Sequence, residues 1–106
     1  MKKLAYKINA EKGRIERIQI ENLEDMQACV GGLIELAGEI EGRNDLYVDE
    51  EGLCKEVTYG FRFKDRIFAG NGLIIGHNGK GASCDVNISE LQVALNVDFI
   101  SRLEID

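Results

Sequence analysis

The sequence predicts an α+β fold: a largely antiparallel β-sheet with two short helices packed on it, a single compact domain over residues 1–106. Three observations predict it. Apolar residues alternate along 4–8, 18–20 and 57–63, the period of a half-buried strand. The pairs Lys12-Gly13 and Asn78-Gly79 stand between strand-like runs, where hairpins turn. Two segments carry start and stop residues of short helices.

The first run, "KLAYKINAEKGRIERIQIE", reads as a hairpin. Leu4, Tyr6 and Ile8 alternate with Ala5 and Lys7, and Ile18 and Ile20 alternate on the return. Ile15 falls out of that phase, which calls for a bulge or a late strand start. In "NLEDMQACVGG", Asn22 is an N-cap, and Glu24 and Asp25 put carboxylates in the first turn, where the helix dipole favours them. Leu23, Met26 and Val30 line one face. Gly31 sits where a left-handed C-cap is wanted. A glycine pair that follows its helix meets carbonyls, whereas a phosphate loop needs the N–H groups of a helix start.

"LIELAGEI" is a short strand, "EGRND" a turn, and "LYVDEEG" a strand running into an acidic turn closed by Gly52. In "VTYGFRF", Val57, Tyr59, Phe61 and Phe63 share one face, which is expected to be core. "AGNGLIIGHNGKGASCDVNI" reads as a second hairpin turning at Asn78-Gly79. In a two-residue loop, His77 would pair with Lys80 and Ile75 with Ala82. "ISELQVAL" opens the second helix. Ser89 and Gln92 make a capping box and Ile88 and Val93 the hydrophobic staple, although Asn87 with Glu90 is a workable register too. The helices are expected at about 23–30 and 89–96, with Leu91, Ala94 and Leu95 facing the core. "VDFISRLEI" supports a closing strand through Val97, Phe99, Leu103 and Ile105, or a helix through Phe99, Ile100 and Leu103. The strand is preferred.

Composition narrows the function classes. With 44% hydrophobic and 30% charged residues the chain is globular rather than disordered. The net charge of −6 and the scattered basic residues disfavour nucleic acid, which needs a positive face. The same charge is modest for a DNA mimic. "MKKLAYKINAEKGR" starts like a leader, but Lys7, Asn9 and Glu11 break the apolar stretch, and no segment reaches membrane-span length. A cytoplasmic protein is expected. Cys29, Cys54 and Cys84 are widely spaced, with no C-x-x-C pair and His77 as the single histidine, so free thiols are expected and no metal or other cofactor. A metal site would require distant residues to converge.

Candidate chemistry is sparse. "DLYVDEEGLCKE" fails as a calcium loop, because Tyr47 and Asp49 take the third and fifth positions and Glu50 replaces the glycine. "GHNGKGAS" lacks Walker spacing, which leaves a weaker anion nest from the N–H groups of Asn78, Gly79, Lys80 and Gly81 beside His77. The two-residue turn would leave Cys84 nearer Leu73 than His77, so no dyad is expected. No nucleophile, base and orienter fall into place, so no catalytic residue is assigned.

The order "LEDMQACVGGLIEL", "LYVDEEGL", "IFAGNGLIIG", a short polar loop and a capped helix resembles a family of unknown function, over roughly residues 22–95. Its members are encoded mainly by bacteriophages, plasmids and other mobile elements and their bacterial hosts. In that family a helix ends in Val-Gly-Gly, an acidic strand and an Asn-Glu-Glu-Gly turn follow, and an "I-x-G-x-x-x-x-x-G" strand comes later. Asp49 stands here where the family has Asn, and "EVTYGFRF" replaces a more polar stretch. The resemblance implies a small accessory protein acting by binding a host component. The expected function is therefore non-enzymatic binding of a protein partner through Gly32, Glu35, Asp49, Glu50, Glu51 and Gly52. The alternatives are a small-ligand binder, of a nucleotide for instance, at 77–81 and, last, an enzyme.

Overall fold

The computed structural model describes residues 2–52 and 57–102. Cys54, and Leu103 and Ile105 of the expected closing strand, lie outside the described residues.

The hairpin forms from β1 (Lys3–Asn9) and β2 (Arg14–Ile20). Its register is unbroken from Lys3 opposite Ile20 to Asn9 opposite Arg14. The expected bulge or late start at Ile15 is therefore corrected. Ile15 lies opposite Ile8 on one face of the sheet, while Ile18 and Ile20 serve the other. The odd phase reflects a sheet buried on both sides.

Helix α1 (Leu23–Val30) starts where Asn22 accepts the Asp25 N–H at 2.9 Å. Gly31 ends it at φ 89°, and the N–H groups of Gly31 and Gly32 both turn back to the Gln27 carbonyl. The glycine pair thus closes a helix, as expected. Met26, Cys29 and Val30 are buried, but Leu23 is 54% exposed. The helix meets the sheet through its second half, so its first residue projects into solvent.

Strands β3 (Ile34–Ile40), β4 (Asn44–Asp49), β7 (Gly72–His77) and β8 (Ser83–Cys84) complete the first sheet. Its order is β2-β1-β7-β4-β3, with β8 beside β7. A bulge between Leu36 and Gly38 shifts the β3–β4 register. It lets Ile34 and Ile40, both at even positions, face opposite sides of the sheet. In β7, Leu73, Ile74 and Ile75 are at most 1% exposed, because both faces are covered.

The sequence suggested one sheet; the described residues form two. The second contains β5 (Gly60–Phe63), β6 (Arg66–Ala69) and β9 (Val97–Ile100), in the order β6-β5-β9. Phe61 and Phe63 are buried as expected, and the Phe61 and Phe68 rings lie 5.5 Å apart. This sheet and α2 (Glu90–Leu95) cover the face of the large sheet bearing Tyr6, Ile8, Leu46 and Ile74. Helix α1 covers the other face, against Ala5, Leu73 and Ile75.

The capping box at Ser89 and Gln92 is present, which decides against the Asn87 start. Leu91, Ala94 and Leu95, expected in the core, are exposed, Leu91 at 67% and Leu95 at 77%. A six-residue helix makes fewer than two turns. Its cap seats Val93 over Ile88 in the core, and the leucines fall on the outer flank.

The second hairpin also differs from the expected register. His77 lies opposite Ser83 and Gly76 opposite Cys84. The loop is longer than two residues because Asn78 donates its N–H to the Ala82 carbonyl at 3.0 Å. Cys84 thus comes closer to His77 than expected, yet still makes no dyad: alternation along the strands puts the two on opposite faces.

Candidate functional site

The acidic turn is built by two strands and one glycine. Ile34 lies opposite Asp49 and Glu35 opposite Val48. The Glu50 N–H donates to the Leu33 carbonyl at 2.8 Å, which ties the turn to the segment leaving α1. The Glu51 N–H donates to Asp49 Oδ1 at 2.9 Å, a local side-chain turn. Gly52 then brings the backbone against Ala69 of β6.

These contacts open a cleft of 180 Å³ between the turn and β6, with Glu35, Asp49, Glu50 and Gly52 among its lining residues. Arg66 and Phe68 form the opposite wall. Arg66 holds its guanidinium 4.9 Å from the centre of the Phe68 ring and donates to the Ala37 carbonyl at 3.1 Å. A second cavity of 180 Å³ lies behind the same turn, lined by Asp49 and Gly52 together with Gly31, Cys29 and Tyr59. Desolvation pushes the Cys29 thiol up to about 11, so it supplies no ready nucleophile there.

Four of the six residues read as a partner surface therefore share one cleft. Glu51 is exposed at the turn, and Gly32 is engaged by the helix end. Sequence reading missed Arg66 and Phe68, because nothing local links the "DRIFA" strand to the acidic turn.

At the second hairpin two N–H groups of the expected anion nest are taken by its own loop. The Asn78 N–H goes to Ala82, and the Lys80 N–H goes to Asn78 Oδ1 at 2.7 Å. Arg43 donates to the Asn78 carbonyl at 3.2 Å. That leaves Gly79 and Gly81 as the remaining residues of the nest. His77 is turned elsewhere, with Nδ1 2.9 Å from Asp45 Oδ2.

Among the described residues no helix is long and apolar enough to cross a membrane. No curated protein and no solved structure matches the chain. A family model matches residues 1–96, a span that takes in the first hairpin, the glycine-ended helix and the acidic turn, and so the chain belongs to the family described as a domain of unknown function, DUF3846.

Proposed function

We propose that this protein is a non-enzymatic binding protein, an accessory factor of phage or mobile-element type, that takes a protein partner at the cleft beside the acidic turn. The observation that carries the reading is the convergence of Glu35, Asp49, Glu50 and Gly52 on one cleft. Its volume of 180 Å³ falls below the ~300–1,000 Å³ of pockets that enclose small ligands, which favours insertion of a partner side chain. Among the described residues three carboxylates stand against one guanidinium in the cleft, which favours a basic side chain whose apolar stem lies toward Phe68. A nucleotide at 77–81 is less favoured, since two of the four nest amides are already bonded.

The test is capture from a bacterial host lysate by the wild type, by a Glu35→Lys/Glu50→Lys variant and by Glu90→Lys on α2. A partner retained by the wild type and Glu90→Lys and lost by the double variant supports the reading. Equal retention by all three refutes it. Thermal-shift measurements with nucleotides run beside it; a concentration-dependent rise in Tm would favour the ligand alternative.

A further inference from the structure

Three adjacent strands place Glu39, Asp45 and His77 on one face of the large sheet. Glu39 lies directly opposite Asp45 on β3 and β4. Asp45 in turn lies opposite Ile75 on β7, so His77 is its diagonal neighbour on that face. One ligand atom from each residue lies within 4.8 Å of the others. His77 Nδ1 and Asp45 Oδ2 are 2.9 Å apart, and Asp45 is buried.

The bulge in β3 makes this possible. Continuing the Ile34–Leu36 register would set Glu39 opposite Asn44 and turn it toward the apolar core. The extra residue re-aims it to the His77 side, a use of bulges that recurs beside functional sites. Lys64 Nζ holds the Glu39 carbonyl at 2.9 Å and so secures the edge strand there. The result is two carboxylates facing each other directly, an arrangement that destabilises a ladder unless a cation lies between them.

We propose that Glu39, Asp45 and His77 form a divalent transition-metal site, separate from the partner cleft. One imidazole nitrogen and two carboxylate oxygens suit zinc or manganese; calcium and magnesium take oxygen alone, and copper(I) takes sulfur. Ligands about 2.1 Å from one ion and about 90° apart stand about 3 Å from each other, which the His77–Asp45 spacing already meets. Glu39 is exposed and closes the remaining gap by adjusting its side chain. The imidazole binds through Nδ1 as its Nε2–H tautomer, and water completes the coordination.

Calorimetric titration of the full chain with Mn²⁺ tests the site, because manganese avoids the cysteine thiols. The expected result is one-to-one binding that weakens at least about tenfold in Glu39→Gln and in His77→Gln, with Mg²⁺ failing to compete. Glu39 is exposed and Glu39→Gln relieves the carboxylate repulsion, so this variant should melt at or above the wild type without metal and carry the test even if His77→Gln unfolds. No binding at millimolar Mn²⁺, or binding undiminished by Glu39→Gln, would overturn the proposal and leave a plain His–Asp pair.

Discussion

Gly52 packs against Ala69 so closely that a Cβ on it would stand 2.9 Å from the Ala69 carbonyl oxygen. The obstacle is backbone, which does not swing aside as a side chain does. Gly52→Ala should therefore cost ~1–3 kcal/mol, as overpacking does, and lower the urea midpoint. Because Gly52 lines the cleft, the same change should weaken partner capture. An unchanged midpoint would show that β6 yields without strain.

Gly31 is the opposite case. Among the described residues nothing lies within 4 Å of a Cβ there, and the cost of a side chain comes from φ 89°. Gly31→Ala should destabilise by ~1 kcal/mol and Gly31→Asn by less, since asparagine tolerates the left-handed region. Equal midpoints for both variants and the wild type would contradict the cap.

Ser89 and Asn87 do separate work. Ser89 accepts the Gln92 N–H at 3.1 Å, so Ser89→Ala should cost ~1 kcal/mol as a lost N-cap. Asn87 accepts from the buried Asn44 side chain at 2.8 Å. Asn87→Ala removes that acceptor and should cost ~1–3 kcal/mol. Urea titration of the two single variants distinguishes these effects, and a neutral Asn87→Ala would show that water replaces the lost partner.

The faces of α2 differ in what they contribute. Val93 is 0% exposed and Leu95 77%. Val93→Ala should cost roughly 2 kcal/mol through lost burial and the cavity left behind. Leu95→Ala should stay within about 0.5 kcal/mol. The reverse ranking in thermal melts would mean that the helix packs through its other flank.

Cys29 is protected by desolvation. With the thiol raised from 9.0 to about 11, roughly one in a thousand is ionised at pH 8. Iodoacetamide should label the half-buried Cys84 and spare Cys29 until urea unfolds the chain, as read by peptide mass spectrometry. The folded value lies above the unfolded one, so the thiol's contribution to stability is complete below about pH 9 and is lost as pH rises toward about 11. Cys29→Ala should flatten that alkaline decline relative to the wild type.

Local chemistry decided much of this fold from the sequence alone. Asn22, Gly31, Ser89 and Gln92 act on backbone groups a few residues away, so both helix ends were legible. The alternation of Leu4, Tyr6 and Ile8, and of Phe61 and Phe63, marked strands for the same reason. The turn through Asp49 and Gly52 announced itself by composition. Tertiary structure decided which side of each element is covered. A second sheet over one face and a helix over the other gave Ile15 a core to enter, while the short α2 left Leu91 and Leu95 outside. The pairing of distant strands set Arg66 and Phe68 across from Glu35 and Glu50. A one-residue bulge brought Glu39 round to Asp45 and His77. Such contacts depend on register between segments far apart in the chain, and a shift of one residue reverses every side chain in a strand. Residue identity specifies local caps and turns; only the assembled sheet specifies which carboxylates, imidazole and guanidinium meet.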